Sequence, residues 1–261
     1  MVKREFYDFG VHPAPEGENS PEELVALAKH LGYSGLAFVP HSDKLSPGLP
    51  FIPSDGDFEV FKCIRGIELV EENPSKLHGL IGKFRKKVDV LAVHGGSEKV
   101  NRAAVENSGV DILNHPSPEM GRGLNQVLAK AAGENEVAIG LSLSALLYSR
   151  GFRRVRLLSE YRATLELARK YEVSIVLSSD AMSCFDLRAP REMAAIAELF
   201  GMEEDEALAS LSTVPTGILA RNRPSAGYVR PGVEVVEGFE EGIEEGIEEG
   251  IEEGIEEGEL P

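Results

Sequence analysis

The chain has 261 residues, 42% of them hydrophobic, and a formal net charge of −17 at pH 7. That size allows one large core, and no stretch approaches the roughly 20 apolar residues of a membrane span or the apolar segment of a secretion signal. We therefore expect a cytoplasmic protein without a membrane partner. The two cysteines, Cys63 and Cys184, form no CxxC pair, which argues against a disulfide framework or a zinc site of that type.

The negative charge is concentrated at the C-terminal end. Residues 237–261 hold 12 Glu and no Lys or Arg, in repeats of the form EEGI, whereas residues 1–236 hold 27 basic and 32 acidic side chains, a net charge of −5. A glycine at every fourth position costs a helix about 1 kcal/mol each relative to alanine, so the repeats predict a disordered acidic tail. An acidic arm that mimics nucleic acid is the functional alternative. The predicted organisation is one domain, residues 1–236, followed by this tail.

Seven apolar runs of strand length alternate with segments of helical character. The runs span residues 6–12, 36–41, 61–68, 88–94, 110–115, 137–142 and 173–180. Ser20, Pro21 and Glu23 predict the start of the first helix, because they supply a cap, a fixed backbone angle and a capping-box acid. Gly32 ends that helix. Residues 42–57, with three prolines and two glycines, predict a long loop. Later helices are predicted at residues 74–87, 97–107, 123–134, 157–171, 190–200, 203–210 and 216–221.

This alternation predicts an α/β fold of the TIM-barrel type. Strands separated by helices become parallel neighbours joined by right-handed crossovers, and a set of this size closes into a barrel. Seven strands are counted. Residues 228–236 offer an irregular eighth, and the sequence leaves both counts open.

Nearly every apolar run ends in a residue able to bind metal or phosphate. Because the C-terminal ends of parallel strands meet at one mouth of a barrel, these side chains are expected to converge there. Such a set suits a divalent-metal phosphoesterase, in which metal ions orient a hydroxide and stabilise the phosphate. The residues are His12, His41, Glu68, His94, His115 and Asp180.

The order of these residues resembles that of the polymerase and histidinol phosphatase (PHP) superfamily, whose strands end in DxHxH, TDH, GxE, His, HP and DxH. The second to fifth motifs match at VPHSD, GIE, VHGG and NHP. Gly10, however, stands in place of the first histidine of DxHxH, and SSDAM has Asp180 but no matching histidine, with Met182 nearby. A polynuclear site needs its full ligand set, so the resemblance implies a PHP-like barrel whose six strand-end residues are relics, with no bound metal expected.

Longer stretches resemble one member of that superfamily, the archaeal and eukaryotic ribonuclease P protein component 3 family. They are FYDFGV, GYSGLAF, CIRGIEL, VLAVHGG with EKVNRAAVE, VDILNHP, SSDA with LRAPREM, and ILARNRP, and they cover roughly residues 3–224. The resemblance implies a non-catalytic subunit of a ribonucleoprotein whose RNA removes the 5′ leader of precursor tRNA. The implied partners are the ribonuclease P RNA, a small RRM-like α/β subunit and, indirectly, precursor tRNA. The chain itself would need no cofactor, and Mg²⁺ would serve the RNA.

Structured RNA is bound mainly through phosphate and 2′-hydroxyl groups, which calls for Lys and Arg spread over a surface. Local potential rather than net charge attracts phosphate at close range, so the mildly acidic domain does not exclude RNA. Basic residues cluster at 83–87, 150–156 and 221–230. The candidate RNA-binding residues, expected at the barrel mouth, are Lys44, Arg65, Lys99, Arg102, Arg122, Arg150, Arg153, Arg154 and Arg188.

Several alternatives stay open. The arginines at 150–156 also suit the solvated start of a helix. Gly95 and Gly96 before Ser97 predict either a phosphate-binding helix start or a tight turn. The competing functions are a PHP-type phosphoesterase and a purely protein-binding barrel, although the latter leaves the arginine clusters unexplained.

Overall fold

The computed structural model describes residues 4–45, 61–116, 123–222, 228–230 and 233–234. Seven parallel strands form one sheet in chain order. They are β1 (Tyr7–Val11), β2 (Gly35–Phe38), β3 (Lys62–Leu69), β4 (Val90–His94), β5 (Ile112–Asn114), β6 (Ala138–Ser142) and β7 (Ile175–Ser178). Val11 bridges to Ala181, and hydrogen bonds of 2.9 Å join Ala181 to the backbone of Gly10 and His12. The two edges of the sheet therefore meet, and the predicted α/β barrel is confirmed.

Helices connect the strands and follow the last one. They are α1 (Pro21–Leu31), α2 (Pro74–Phe84), α3 (Glu98–Val105), α4 (Gln126–Glu134), α5 (Leu143–Tyr148), α6 (Gly151–Lys170), α7 (Pro190–Glu198), α8 (Glu204–Ser210) and α9 (Thr213–Asn222), with a 3-10 turn at Cys184–Asp186. The capping box of α1 is present as predicted. The Ser20 hydroxyl accepts a hydrogen bond from Glu23 N, and Gly32 ends the helix with a left-handed φ of 92°.

The prediction is wrong between residues 142 and 157. Ser142 caps α5 directly after β6, and α6 begins at Gly151 rather than at residue 157. Residues 151–156 are all exposed, so this part of α6 lacks the apolar stripe by which a helix is recognised in sequence. The cluster at 150–156 therefore forms the exposed first turns of a 20-residue helix.

The barrel has two apolar layers. Alternate strand residues such as Phe9, Ile64 and Ile112 fill its interior, whereas their neighbours pack outward against the helices. Ile218 of α9 belongs to the interior cluster. Asn222 of the same helix donates a 2.8 Å hydrogen bond to the carbonyl of Asp89, the residue before β4, so α9 covers the end of the barrel at which the strands begin.

A polar network holds α9 in this position. The buried Asp111 carboxylate accepts hydrogen bonds from Arg85 at 2.5 Å and from Arg221 and Asn222 at 2.9 Å each. It also accepts one from Leu91 N at 2.8 Å. Arg85 and Arg221 belong to the basic clusters at 83–87 and 221–230. Because their guanidinium groups bind Asp111, both side chains stabilise the fold.

The chain divides into two units, residues 1–222 and 223–261. In the second, β8 (Tyr228–Arg230) pairs antiparallel with β9 (Val233–Glu234). Among the described residues these two strands form a sheet of their own and the barrel sheet has seven strands, as in the seven-stranded alternative. The predicted boundary at residue 236, the acidic tail and most of the predicted loop at 42–57 lie outside the described residues.

Candidate functional site

The structure brings the six strand-end residues together at one mouth of the barrel. The four imidazole rings form a row in which His12 stacks on His41 with centroids 4.8 Å apart, His94 follows at 5.4 Å and His115 at a further 5.0 Å. Each ring comes from the end of a different strand or from the residues just after it. The parallel register of the sheet thus converts positions far apart in sequence into one polar cluster.

Glu68 is the central carboxylate of this cluster and is only 1% exposed. Its Oε1 lies 2.6 Å from Nδ1 of His94 and 3.7 Å from Nε2 of His41. Its Oε2 accepts a hydrogen bond of 2.7 Å from Asn114. Gly140 makes room for that amide, because a Cβ there would lie 1.9 Å from Oδ1 of Asn114.

Glu16 is a site residue that the sequence reasoning missed. It lies in the loop after β1, where it accepts hydrogen bonds from the ring and the backbone N–H of His41, the latter at 2.9 Å. Nδ1 of His12 lies 3.8 Å from the same carboxylate. The only available signal was an acidic residue in the first strand-to-helix loop, four positions after His12.

Asp180 forms the opposite side of the cluster. Its Oδ1 lies 3.1 Å from Nε2 of His12, and its Oδ2 accepts a 3.0 Å hydrogen bond from Ser142. His115 lies 3.8 Å away. Asp180 and His115 both have left-handed backbones, with φ of 55° and 46°, a conformation that costs energy in residues other than glycine. The turns that carry them are therefore held by their surroundings.

The electrostatics of the cluster favour ion pairs. Burial alone would lower the pKa of His12, but its contacts with Asp180 and Glu16 outweigh burial and raise the pKa to about 9. Burial would also lower the pKa of His41, but its contacts with Glu16 and Glu68 outweigh burial and raise that pKa to about 10. Burial would raise the pKa of Glu16, Glu68 and Asp180, yet the histidines hold all three below their usual values. At neutral pH the cluster therefore combines ionised carboxylates with the protonated rings of His12 and His41.

These shifts predict that stability falls at alkaline pH. The folded chain keeps protons on His12 and His41 that the unfolded chain releases above about pH 6.5, so this contribution is complete below that pH and is lost as the pH rises towards 9–10. Calorimetric melting temperatures from pH 6 to 10 should therefore decline. The H41Q variant should decline less steeply between pH 7 and 9.5, and equal slopes for both proteins would contradict the assignment.

Gly10 is a position at which the mouth of the barrel lacks a ligand of the full metal-binding set. A Cβ at this position would lie 2.7 Å from Cβ and Oγ of Ser178, so a histidine would enter only if β7 shifted. The buried Asp8 carboxylate accepts hydrogen bonds from Gly10 N at 3.1 Å and Ser179 N at 3.2 Å, and so joins β1 to β7. Met182 is 40% exposed and supplies no nitrogen or oxygen donor.

The remaining donors form two triads whose ligand atoms lie within 4.8 Å of one another, His12–Glu16–His41 and His41–Glu68–His94. Such nitrogen and oxygen donors suit Zn²⁺ or Mn²⁺, and the buried Nδ1 of His12 has no hydrogen-bond partner in the described chain. Both triads nevertheless share His41, so the described donors do not provide two separate sets of ligands. With position 10 also closed, the donor set does not fit the two-metal arrangement of a phosphoesterase.

An open cleft of about 790 Å³ lies beside the cluster. His115 and Asp180 form its inner end, and α5 with the first turns of α6 forms its outer wall. Arg150, Arg153 and Arg156 line this wall. The mouth thus has a neutralised polar centre and a basic margin.

The other predicted RNA-binding residues differ in their surroundings. Lys99 and Arg102 lie on the exposed face of α3, and Lys44 is exposed beside Asp43. Arg154 donates to the carbonyl groups of Ser149 and Leu147, and Arg188 to those of Phe185 and Leu187, so both also support local backbone. Arg122 lies outside the described residues.

Arg65 is not at the mouth, contrary to the prediction. It lies within β3, and its Nε is 3.5 Å from Asp89, the residue before β4 begins. It therefore belongs to the opposite end of the barrel. Glu68 is at the mouth, but Arg65 lies three positions earlier in the same strand.

The glycine pair before α3 forms a tight turn. Gly95 N donates to the Asn114 carbonyl at 2.7 Å, and Gly96 N donates to Oδ1 of Asn101 at 2.9 Å. The backbone N–H groups of both glycines therefore already have acceptors and are not available to a phosphate. Of the two readings left open, the turn is the one that the geometry supports.

The whole barrel matches a known protein family, RNase P subunit p30, over residues 5–225. The chain belongs to the RNase P subunit p30 family. Ribonuclease P protein component 3 of Methanosarcina barkeri is 66% identical over 237 residues, which cover 91% of this chain and 98% of that protein. The same component of Methanothermobacter thermautotrophicus is 37% identical over 222 residues, which cover 84% and 90%.

A solved structure agrees with this assignment. A chain from a cryo-EM structure of archaeal ribonuclease P with mature tRNA matches with a TM-score of 0.72 and 30% identity, over 90% of this chain and 100% of that one. This member of the p30 family is therefore a protein subunit of ribonuclease P, the enzyme that processes tRNA 5′ ends, as the sequence predicts. Across the described ranges, no helix combines the length and apolar character needed to cross a bilayer.

Proposed function

We propose that the chain is an RNA-binding scaffold subunit that supports the catalytic RNA of ribonuclease P without performing chemistry itself. The observation that carries this proposal is the match to a chain of archaeal ribonuclease P solved with mature tRNA. The mouth of the barrel supports the non-catalytic part, because its carboxylates and imidazoles neutralise each other and Gly10 leaves no room for a further ligand. Cutting the RNA leader is thus left to the RNA.

The basic margin of the mouth supports the RNA-binding part. Lys99 and Arg102 lie one turn apart on the exposed face of α3, and Arg150 and Arg153 are the exposed N-cap residue and a first-turn residue of α6. Cations arranged in this way can follow a phosphate backbone over a surface wider than a single pocket. Precursor tRNA would then be contacted only indirectly, through the RNA.

The remaining roles follow from this assignment. We infer that Mg²⁺ serves the RNA and that the chain needs no cofactor of its own. We also infer that a small RRM-like α/β subunit is its protein partner and that the particle acts in the cytoplasm. Co-purification of the tagged chain from its native cells, followed by identification of the proteins and RNA bound to it, tests both partners.

Removing two cations from α3 should weaken RNA binding in a salt-dependent way. In the K99A/R102A variant, two phosphate contacts are lost, so affinity for in vitro transcribed ribonuclease P RNA should fall. The slope of log affinity against log salt should decrease by about two, since each lost contact removes about one released counterion. Filter binding between 50 and 300 mM salt provides the measurement.

The matched control is R4A/K130A, which removes the same charge from exposed positions before β1 and within α4. It should leave the salt slope unchanged. Equal slopes for the two double variants would refute a role for the α3 cations. An absence of RNA binding by the unmodified chain would refute the scaffold proposal itself.

A further inference from the structure

The cleft beside the polar cluster has the size of a small-ligand site. Its volume of about 790 Å³ falls within the range of pockets that enclose small organic molecules. Its inner end is formed by the ends of strands, including Gly140 and Leu141, and its wall by α5 and α6. The cleft is therefore wide enough for a base with its ribose, and it is open on the side where a longer polymer would enter.

Two largely exposed aromatic rings lie at this cleft, one of which, Tyr148, donates a hydrogen bond from its hydroxyl to Asp186. Tyr148, the last residue of α5, is 67% exposed, and Phe152, in the first turn of α6, is 82% exposed. Exposed aromatic rings that line a cleft offer a binding surface, because their apolar faces gain free energy when a planar partner covers them. A nucleobase is such a partner, and stacking tolerates any of the four bases.

Arginines alternate with these rings along the same wall. Arg150, Arg153 and Arg156 follow one another at intervals of three residues and line the cleft. Arg156 is paired with Glu160 at 3.0 Å, whereas Arg150 has no carboxylate partner among residues that the structure describes. The first turn of α6 also contains no acidic residue. An anionic group entering the cleft would therefore meet cations on the wall that carries the aromatic rings.

This combination distinguishes between the partners that a ribonucleoprotein subunit can meet. A duplex presents phosphates and a shallow minor groove, and its bases are stacked on each other and unavailable to a protein ring. A protein partner would have to place both apolar groups on the rings and carboxylates on the arginines of the same wall. An unpaired nucleotide satisfies both features, with its base on an aromatic ring and its phosphate on the guanidinium groups.

We propose that the cleft between the strand-end cluster and α5–α6 binds an unpaired nucleotide of the ribonuclease P RNA, with its base stacked on Phe152 and its phosphate held by Arg150 and Arg153. The inference rests on the proposed RNA-binding function and adds to it the place and the kind of nucleotide. The arginines of this region alone would also be compatible with a solvated helix surface. The inference assigns them a specific contact with RNA.

The test compares Phe152 with a second exposed aromatic residue. F152A removes the proposed stacking ring, and F185A removes a phenyl ring that is 79% exposed in the 3-10 turn and is not among the residues that line the cleft. Both rings are on the surface, so both variants should fold like the parent chain. Affinity of the full chain for in vitro transcribed ribonuclease P RNA is measured by filter binding at one fixed salt concentration.

F152A should weaken binding about tenfold, the effect expected when one stacked base loses its aromatic platform, and F185A should bind like the parent chain. RNA transcribed with 4-thiouridine should cross-link under ultraviolet light to a peptide containing Tyr148 or Phe152, from a uridine that is unpaired in the RNA. Equal affinities of the two variants, or cross-links only to other peptides, would overturn the inference while leaving the scaffold role intact. Loss of a protein subunit from the F152A particle at unchanged RNA affinity would reassign the cleft to a protein partner. If the parent chain binds no RNA, the cleft inference and the proposed function fail together.

Discussion

Replacing Glu68 with alanine is expected to lower the free energy of unfolding by about 3–5 kcal/mol, the range for breaking a buried ion pair from one side. The carboxylate is almost fully buried and contacts His94, Asn114 and His41. Without it, the protonated ring of His41 remains in the barrel mouth with less opposing charge. The destabilisation should be smaller at pH 9 than at pH 6, because the proton that Glu68 helps His41 to retain contributes less to stability as the pH rises towards 10.

Urea unfolding at the two pH values measures both effects. E72A is the matched control, because Glu72 is an exposed residue of the same type after β3, and its replacement should change stability by less than about 0.5 kcal/mol. If E68A were as stable as E72A, the strand-end residues would not act as a supporting network. The interpretation of the mouth as an internally neutralised cluster would then be wrong.

Replacing Asp111 with alanine should have an effect of similar size at the opposite end of the barrel. The single carboxylate accepts hydrogen bonds from two arginines, Arg85 and Arg221, and from Asn222 and a strand amide. Its removal takes from two partly buried guanidinium groups the buried carboxylate that they share, although both keep carbonyl acceptors, and we expect a loss of about 3–5 kcal/mol. D111N keeps the shape but loses the charge, so it should fall between the parent chain and D111A.

Chemical unfolding again supplies the free energies, with E134A as the control. Glu134 is 64% exposed and pairs with Lys130 at 3.6 Å, a surface contact worth less than about 1 kcal/mol. Hydrogen exchange adds a spatial readout, since D111A should increase exchange in α9 before it does so in β6. Uniform exchange throughout the barrel would show that Asp111 does not specifically hold α9.

Much of the fold could be predicted because its signals are local. Each signal extends over only a few residues, as in the capping box at Ser20 and Glu23, the helix end at Gly32 and the apolar runs of the strands. The parallel order of the strands follows from the helices between them. The predicted start of α6 at residue 157 was six residues too late for a related reason, and the alternative of a solvated helix start at 150–156 is confirmed. Its first turns face solvent, so no apolar period marks residues 151–156 as helical.

The site was only partly predictable, since its contacts depend on which residues the barrel brings together. Strand-end histidines can be located from the strands, but Glu16 lies in a loop whose path no local pattern specifies. Likewise, nothing local distinguishes Arg221, which binds Asp111, from Arg150, which lines the cleft. Sequence can identify a cation, whereas only the folded chain shows whether that cation is already paired.

The position of α9 has a consequence for synthesis of the chain on the ribosome. β1 is made first, yet Tyr7 N bonds to the Leu211 carbonyl at 2.8 Å, and the interior beneath β1 is completed by Ile218 from the far end of the barrel sequence. The early strands therefore leave the exit tunnel with an unfilled interior and must wait for residues 211–222. Completion of this barrel is a late event, and the nascent strands need shielding from each other and from other chains until then.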